Sequence, residues 1–265
     1  MQSASDTPVF ILCGGMGTRI KEDTEYRPKP MVPIGEHPIL WHIMKSYAGF
    51  GFRRFVLCLG FKAEYVKAYF RNFTTFNSDC TVNLRTNEVV LHEKIQDLDW
   101  DVTLAFTGER NMTGSRVAQA ARKYLGTAAH FAVTYGDGLT DADLAAELAF
   151  HQKNGFLGTV LGVNPPSRFG ELKLNGDLVT EFAEKPDLHA TWINGGFFFF
   201  RREFLSYLDE AAGCVLERAP LIRLAQAGGL GLFRHTGFWA CMDTQRDREE
   251  LTRLVERGEA PWQRP

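Results

Sequence analysis

The sequence predicts an α/β protein, a Rossmann-like mixed but mostly parallel sheet flanked by helices, and three observations predict it. Residues 9–12 (VFIL) form a short apolar, β-prone run that stops at Cys13, Gly14 and Gly15, the pattern of a buried parallel strand entering a loop. A helix, a strand and a second helix follow in alternation, which implies right-handed crossovers. The same unit returns after residue 130, where an apolar strand, a helix and another strand succeed one another. With 265 residues, 45% of them hydrophobic, the chain can bury a substantial core. A single domain over 1–265 is expected, with a small β excursion at 73–101 and a C-terminal helix and tail at 244–265.

Taken in order, the chain opens with a loop built for anions. Gly14, Gly15 and Gly17 let the backbone turn sharply and bring its N–H groups close to a ligand. Thr18, Arg19 and Lys29 then add a hydroxyl, a forked guanidinium and a point charge, a set that holds a polyphosphate. A tight turn is the alternative reading. No Lys-Ser or Lys-Thr closes the loop, and Pro28, Pro30 and Pro33 prevent a helix from starting directly after the glycines. Both the Walker loop and the dinucleotide fingerprint are thereby excluded.

Pro38 suits the first turn of a helix whose apolar positions are Ile39, Leu40, Ile43, Met44 and Tyr47. Residues 54–59 are a buried strand and 63–72 a second helix with Tyr65, Val66, Tyr69 and Phe70 as its stripe. Within the polar excursion, 81–84 and 89–92 are strand-like. Residues 102–107 resume the sheet, and a turn through Thr113 leads into a helix carrying Val117, Ala120, Ala121, Tyr124 and Leu125.

The strand at 130–134 ends in Gly136-Asp137-Gly138. A lone aspartate at the carboxyl end of a parallel strand lies on the edge where open α/β sheets take ligands, and its flanks leave room for a metal and phosphates. An Asp-Gly turn is the bland alternative. Residues 141–154 should be helical, with Thr140-Asp141 as its start, and 157–163 a strand. The Asn175-Gly176 step should join 170–174 to 178–182 as a hairpin, at which the sheet becomes mixed. Residues 192–200 lack alternation and read as a strand buried on both faces, inside which Asn194 needs partners. Helices are expected at 202–208 and 217–227. Asp243 is placed to cap a final helix with the stripe Leu251, Leu254 and Val255.

Other features bound the function. A net charge of −2 gives no global pull toward nucleic acid or anionic membrane, so neither is an expected partner. No apolar run approaches the roughly 20 residues of a membrane span, and the polar start lacks the basic and hydrophobic regions of a signal peptide. A cytoplasmic protein is expected. Five scattered cysteines without a Cys-x-x-Cys pair read as free thiols, and His37 and His42 as structural residues.

The run GGMGTR at 14–19, followed by KPMVPIG at 29–35, resembles the signature of sugar-1-phosphate nucleotidyltransferases. The rest of the chain is similar, nearly end to end, to their glucose-1-phosphate cytidylyltransferase branch. The resemblance implies that a sugar 1-phosphate attacks the α-phosphate of a nucleoside triphosphate, giving a nucleotide-sugar and pyrophosphate. CTP and α-D-glucose 1-phosphate are the implied pair, with UTP, dTTP or another sugar 1-phosphate as alternatives.

Residue by residue, the resemblance implies nucleotide contacts at Leu12, Cys13, Gly14, Gly15, Met16, Gly17, Thr18, Arg19, Lys29, Thr113, Arg116 and Gly136. It places the sugar phosphate on Gly170, Glu184, Lys185 and Asn194, and Mg²⁺ on Asp137 and Asp243. Arg19, Lys29 and Asp137 would be catalytic, and the excursion would contribute to a homo-oligomer contact or border the site. Ser115 departs from the family's T-G-G-R pattern, and Cys13 and Met16 stand where alanine and leucine are commoner. A non-catalytic nucleotide-sugar sensor is a rival reading, against which the joint presence of Lys29, Asp137, Lys185 and Asp243 speaks. A metal-dependent glycosyltransferase would require Asp-x-Asp where this chain has Gly-Asp-Gly.

Overall fold

The computed structural model describes residues 1–15, 26–92, 98–164, 171–183 and 192–263. Seven strands form the central sheet: β1 (Val9–Leu12), β2 (Arg54–Leu59), β3 (Asp101–Phe106), β4 (His130–Tyr135), β5 (Gly158–Val163), β6 (Ile193–Arg201) and β7 (Leu230–His235). Their spatial order is β7-β5-β6-β4-β1-β2-β3. β1 pairs in parallel with both β2 and β4, and β2 with β3. β6 runs antiparallel to β4 and β5, while β5 is parallel to β7.

The mixed, mostly parallel sheet is therefore as expected, but the mixing arises at β6. The hairpin Glu171–Asn175 with Leu178–Ala183 is a separate two-stranded sheet. Asn175 pairs with Leu178, so the two-residue turn is Gly176-Asp177, one residue later than Asn175-Gly176, with Gly176 at φ +60°. An αL first turn position favours the glycine there. β7 is a strand that periodicity did not mark. Its Gly231, Arg234 and His235 blur any apolar pattern, and it is recognisable only by the Gly228-Gly229 break before it.

Among the described residues, six helices of eight residues or more accompany the sheet: α1 (Ile39–Gly49), α2 (Ala63–Arg71), α3 (Thr113–Tyr124), α4 (Leu144–Asn154), α5 (Ala219–Gln226) and α6 (Gln245–Glu256). The tetraphenylalanine run of β6 explains its lack of alternation, because both of its faces are core. Phe197 and Phe199 join Tyr47 and Phe52 on one side, while Phe198 and Phe200 join Phe131 and Phe204 on the other, all of them at most 2% exposed. Ile193 and Asn194, by contrast, are exposed at the start of the strand, so burial on both faces begins at Gly195.

Local boundaries moved for identifiable reasons. Asp143, not Thr140 or Asp141, caps α4, its carboxylate accepting from Ala146 N at 2.8 Å. Asp141 instead pairs with His235 at 2.8 Å. Pro220 fixes the first turn of α5, which leaves Glu217 and Arg218 in the preceding segment, and residues 202–207 form a 3₁₀ helix. The excursion contains the hairpin Cys80–Asn83 with Glu88–Leu91, each strand one residue earlier than its sequence pattern.

α4 carries one costly feature. Glu147 is fully buried and both of its carboxylate oxygens lack a hydrogen-bond partner among the described residues. Desolvation pushes its carboxyl well above the usual carboxylate range. The native state therefore holds a proton that the unfolded chain has released above about pH 4.3, so this group's contribution falls as pH rises past that value. Glu147→Gln should lose less stability than the native chain between pH 5 and pH 8 in denaturant unfolding. Parallel losses in the two proteins would show that Glu147 is not protonated in the fold.

Candidate active site

The strand order reverses beside β1. The chain adds β2 and β3 outward on one side and then returns to place β4 on the other, which leaves a crevice beyond the carboxyl ends of β1 and β4. Leu12 and Tyr135 pair at that edge, and the chain runs on into Cys13-Gly14-Gly15 and Gly136-Asp137. The two loops touch. A Cβ on Gly136 would lie 2.8 Å from the Leu12 carbonyl and 2.7 Å from Pro30 Cγ, so only glycine lets them approach.

Lys29, in a one-turn 3₁₀ helix beside Pro30, extends its ammonium between two carboxylates. Its Nζ donates to Asp137 Oδ2 at 2.6 Å and to Asp243 Oδ1 at 2.8 Å. Asp243 reaches this point because Gly138–Thr140 and Trp239–Cys241 pair as a two-stranded ribbon, and Met242 N donates to Asp137 O at 2.9 Å. Neither short strand was legible in the sequence. Thr244 caps α6 in a capping box with Asp247, so the expected capping role of Asp243 is corrected and its carboxylate is left to face Lys29. Burial opposes the charge on Lys29, but Asp137 and Asp243 outweigh it and hold the ammonium above its ordinary pKa.

Sequence reasoning missed Cys241. Its sulfur and the oxygens of Asp137 and Asp243 lie within 4.8 Å of one another. Burial, and then the two carboxylates, push the thiol far above its usual pKa, so it stays neutral. The two carboxylates offer hard oxygen donors suited to a hard divalent cation, whereas a neutral thiol is a poor ligand for one. Asp137 and Asp243 thus fit a cation site without Cys241.

Arg116 is the other unexpected placement. The residue is 4% exposed, and its guanidinium donates to the carbonyls of Leu59, Gly108, Gly14 and Glu109 and to Thr107 Oγ1. Gly14 and Gly60 are glycines partly because a Cβ on either would strike this guanidinium. The fork ties the ends of β2 and β3 to the first glycine of the loop, using the geometry that distinguishes arginine from lysine. Ser115, the departure from the family pattern, donates from its hydroxyl to Glu210 O at 2.8 Å and so anchors α3 to the segment before α5. Thr113 likewise faces that segment, donating to Glu217 Oε2 at 2.7 Å. Asn194 stands near Tyr135 at the same edge of the sheet, its Oδ1 accepting from Gly196 N at 2.8 Å. Met16, Gly17, Thr18, Arg19, Gly170, Glu184 and Lys185 lie outside the described residues.

The model of the nucleotidyl transferase family matches residues 9–214, which takes in the glycine loop, Lys29 and Asp137. The chain belongs to this family. Within it, the chain is a sugar-1-phosphate nucleotidyltransferase, 43% identical over 252 residues to a glucose-1-phosphate cytidylyltransferase of Salmonella typhimurium, with 95% of this chain and 97% of that protein covered. Similarity to a UTP–glucose-1-phosphate uridylyltransferase of Synechocystis is 28% over 210 residues, 76% of this chain and 50% of that one. A solved Bacillus anthracis structure containing sucrose shares the fold with a TM-score of 0.67 at 16% identity, covering 94% and 95% of the two chains. Nucleotidyltransferases of this family generally use a divalent metal.

The placement of Arg116 yields a test. Arg116→Lys keeps the charge but not the fork, leaving several carbonyls without donors in a buried setting. The variant should lose about 2–4 kcal/mol in denaturant unfolding and raise the Michaelis constant for nucleotide. Unchanged stability with a collapsed turnover number would instead put the guanidinium on a phosphate.

Proposed function

We propose that this nucleotidyltransferase transfers a cytidylyl group from CTP to α-D-glucose 1-phosphate, giving CDP-glucose and pyrophosphate. The 43% identity to a glucose-1-phosphate cytidylyltransferase across almost the whole of both chains carries this reading. The gathering of Lys29, Asp137 and Asp243 at the switch point of the sheet supports it chemically.

A phosphate oxygen of the sugar 1-phosphate attacks the α-phosphorus of CTP. A new P–O bond forms as the bond to the bridging oxygen breaks, and the electron pair leaves on pyrophosphate. The nucleophile is already anionic, so no strong general base is needed; the task is to bring two anions together and neutralise their charge. Bound to Asp137 and Asp243, Mg²⁺ would supply electrophilic charge to the α-phosphate and the departing pyrophosphate. Lys29 supplies its ammonium, with Arg19, to the phosphates whose charge grows as the bond breaks. Arg116 acts through the loop it holds, and the backbone from Leu12 to Gly15 reads the pyrimidine.

On the sugar side, Lys185 binds the sugar phosphate, while Glu184, Asn194 and Gly170 hold the hexose. Trp239 Nε1 donates to Gly195 O at 2.7 Å, which braces the backbone beside Asn194. Val82, Val89, Val90 and Leu91 are 41–50% exposed on the excursion hairpin, which supports a subunit contact there in a homo-oligomer. The five cysteines are free thiols, which suits the reducing cytoplasm, and no described helix is long and apolar enough to cross a membrane.

The test is a matrix of CTP, UTP, dTTP, ATP and GTP against several sugar 1-phosphates, read by pyrophosphate release. CTP with glucose 1-phosphate should give the highest kcat/KM. Turnover about tenfold better with dTTP or UTP for every sugar offered would overturn the cytidylyl assignment, and absence of pyrophosphate from every pair would favour a sensor.

A further inference from the structure

Glu217 belongs to no motif in the sequence, yet it links three elements at the ligand edge. It lies in the segment between the 3₁₀ turn at 202–207 and α5, and that segment is docked over the start of α3. Met112 N donates to Ala212 O at 2.9 Å, Ser115 N to Cys214 O at 3.1 Å, and Leu216 N to Thr113 Oγ1 at 2.9 Å. Gly114 allows this approach, because a Cβ there would lie 2.6 Å from Cys214 Sγ.

From this platform the Glu217 carboxylate reaches inward and uses both oxygens. Oε2 accepts from Thr113 at 2.7 Å, and Oε1 accepts from the Tyr135 hydroxyl at 2.6 Å. Tyr135 ends β4, two residues before Asp137, and its ring and hydroxyl shape what lies on the next strand. A Cβ on Gly196 would sit 2.5 Å from the ring, and Gly196 adopts φ +83° to pass it. The side chain of Asn194 is tied to the same turn, its Oδ1 accepting from Gly196 N at 2.8 Å. Carboxylate and phenol thus lead from the docked segment to Gly196, whose N–H the Asn194 amide holds in turn.

We propose that Glu217 is a positioning residue for the sugar 1-phosphate subsite: by holding the Tyr135 hydroxyl it fixes the ring against Gly196, and with it the glycine turn that Asn194 is tied to. The inference rests on the proposed function only in assigning Asn194 to the sugar. A carboxylate suits this task because it accepts from both hydroxyls at once, whereas a glutamine amide has one accepting end.

The experiment compares Glu217→Gln, Tyr135→Phe, their combination and Asn194→Ala in the full-length protein, by steady-state kinetics with each substrate varied and by thermal unfolding. Glu217→Gln should raise KM for glucose 1-phosphate by about tenfold, with KM for CTP within about twofold of native. Tyr135→Phe should give a similar increase, and the double variant should be no worse than the more impaired single one, because both remove one link. Glu217→Asp, which restores both accepting oxygens, should recover part of the loss. A lowered melting temperature with both Michaelis constants unchanged would reduce Glu217 to a structural staple and overturn the proposal, as would additive effects in the double variant. If Asn194→Ala raises the sugar KM while Glu217→Gln does not, positioning fails and the sugar assignment stands. If Asn194→Ala also leaves it unchanged, the sugar assignment fails and the proposal falls with it.

Discussion

One ammonium shared by two carboxylates governs the layout of this site. Lys29 is 108 residues from Asp137 and 214 from Asp243, so nothing local brings the three together. Two carboxylates with oxygens under 5 Å apart repel unless a cation stands between them, and the side-chain exposures of 13%, 24% and 32% mean that solvent screens this only in part. The ion pair is better understood as a placement device than as a source of stability, because a partly buried pair gives back in desolvation much of what it gains in attraction. It holds the end of β4, the ribbon before α6 and the loop after β1 at one point of the crevice.

The surrounding architecture serves that point. Phenylalanines on both faces of β6 lock the antiparallel strand beside β4, so the Asn194 turn meets the crevice from the side opposite the glycine loop. Arg116 performs a parallel task at the glycine loop. Its buried charge is satisfied by carbonyl dipoles instead of by an acid, which fixes where Gly14 turns without adding a negative group there. Thr244 provides the helix cap, while the Asp243 carboxylate faces Lys29. In each case a residue outside the reacting set carries the structural duty.

Much of this was legible in the sequence, and the limits are physical. Strong local signals were readable: the VFIL run stopped by glycines, the helical spacing in 39–47, and Asp137 at the end of an apolar strand. Lys29, Asp137 and Asp243 were readable as a set through the resemblance of their motifs. The ribbon that joins the two aspartates was not, because its three-residue strands are too short to show a period and are held by pairing across a hundred residues. The partners of Arg116 and Glu217 were not legible for the same reason, since an arginine or a glutamate beside a helix start does not reveal in its sequence which distant carbonyl or hydroxyl it will meet. Cys241 was invisible because its significance lies only in its distance from two carboxylates.

The central claim, on the function proposed above, is that a divalent cation held by Asp137 and Asp243 would compete with Lys29 for the same two carboxylates. Its most direct measurement is Mn²⁺ binding to the nucleotide-free protein, followed by the electron paramagnetic resonance signal of the free ion, in the native chain and in Lys29→Met. Removing the resident charge should tighten Mn²⁺ binding by about tenfold or more. Affinity that is unchanged or weaker in Lys29→Met would contradict the competition and place the cation away from the Asp137–Asp243 pair.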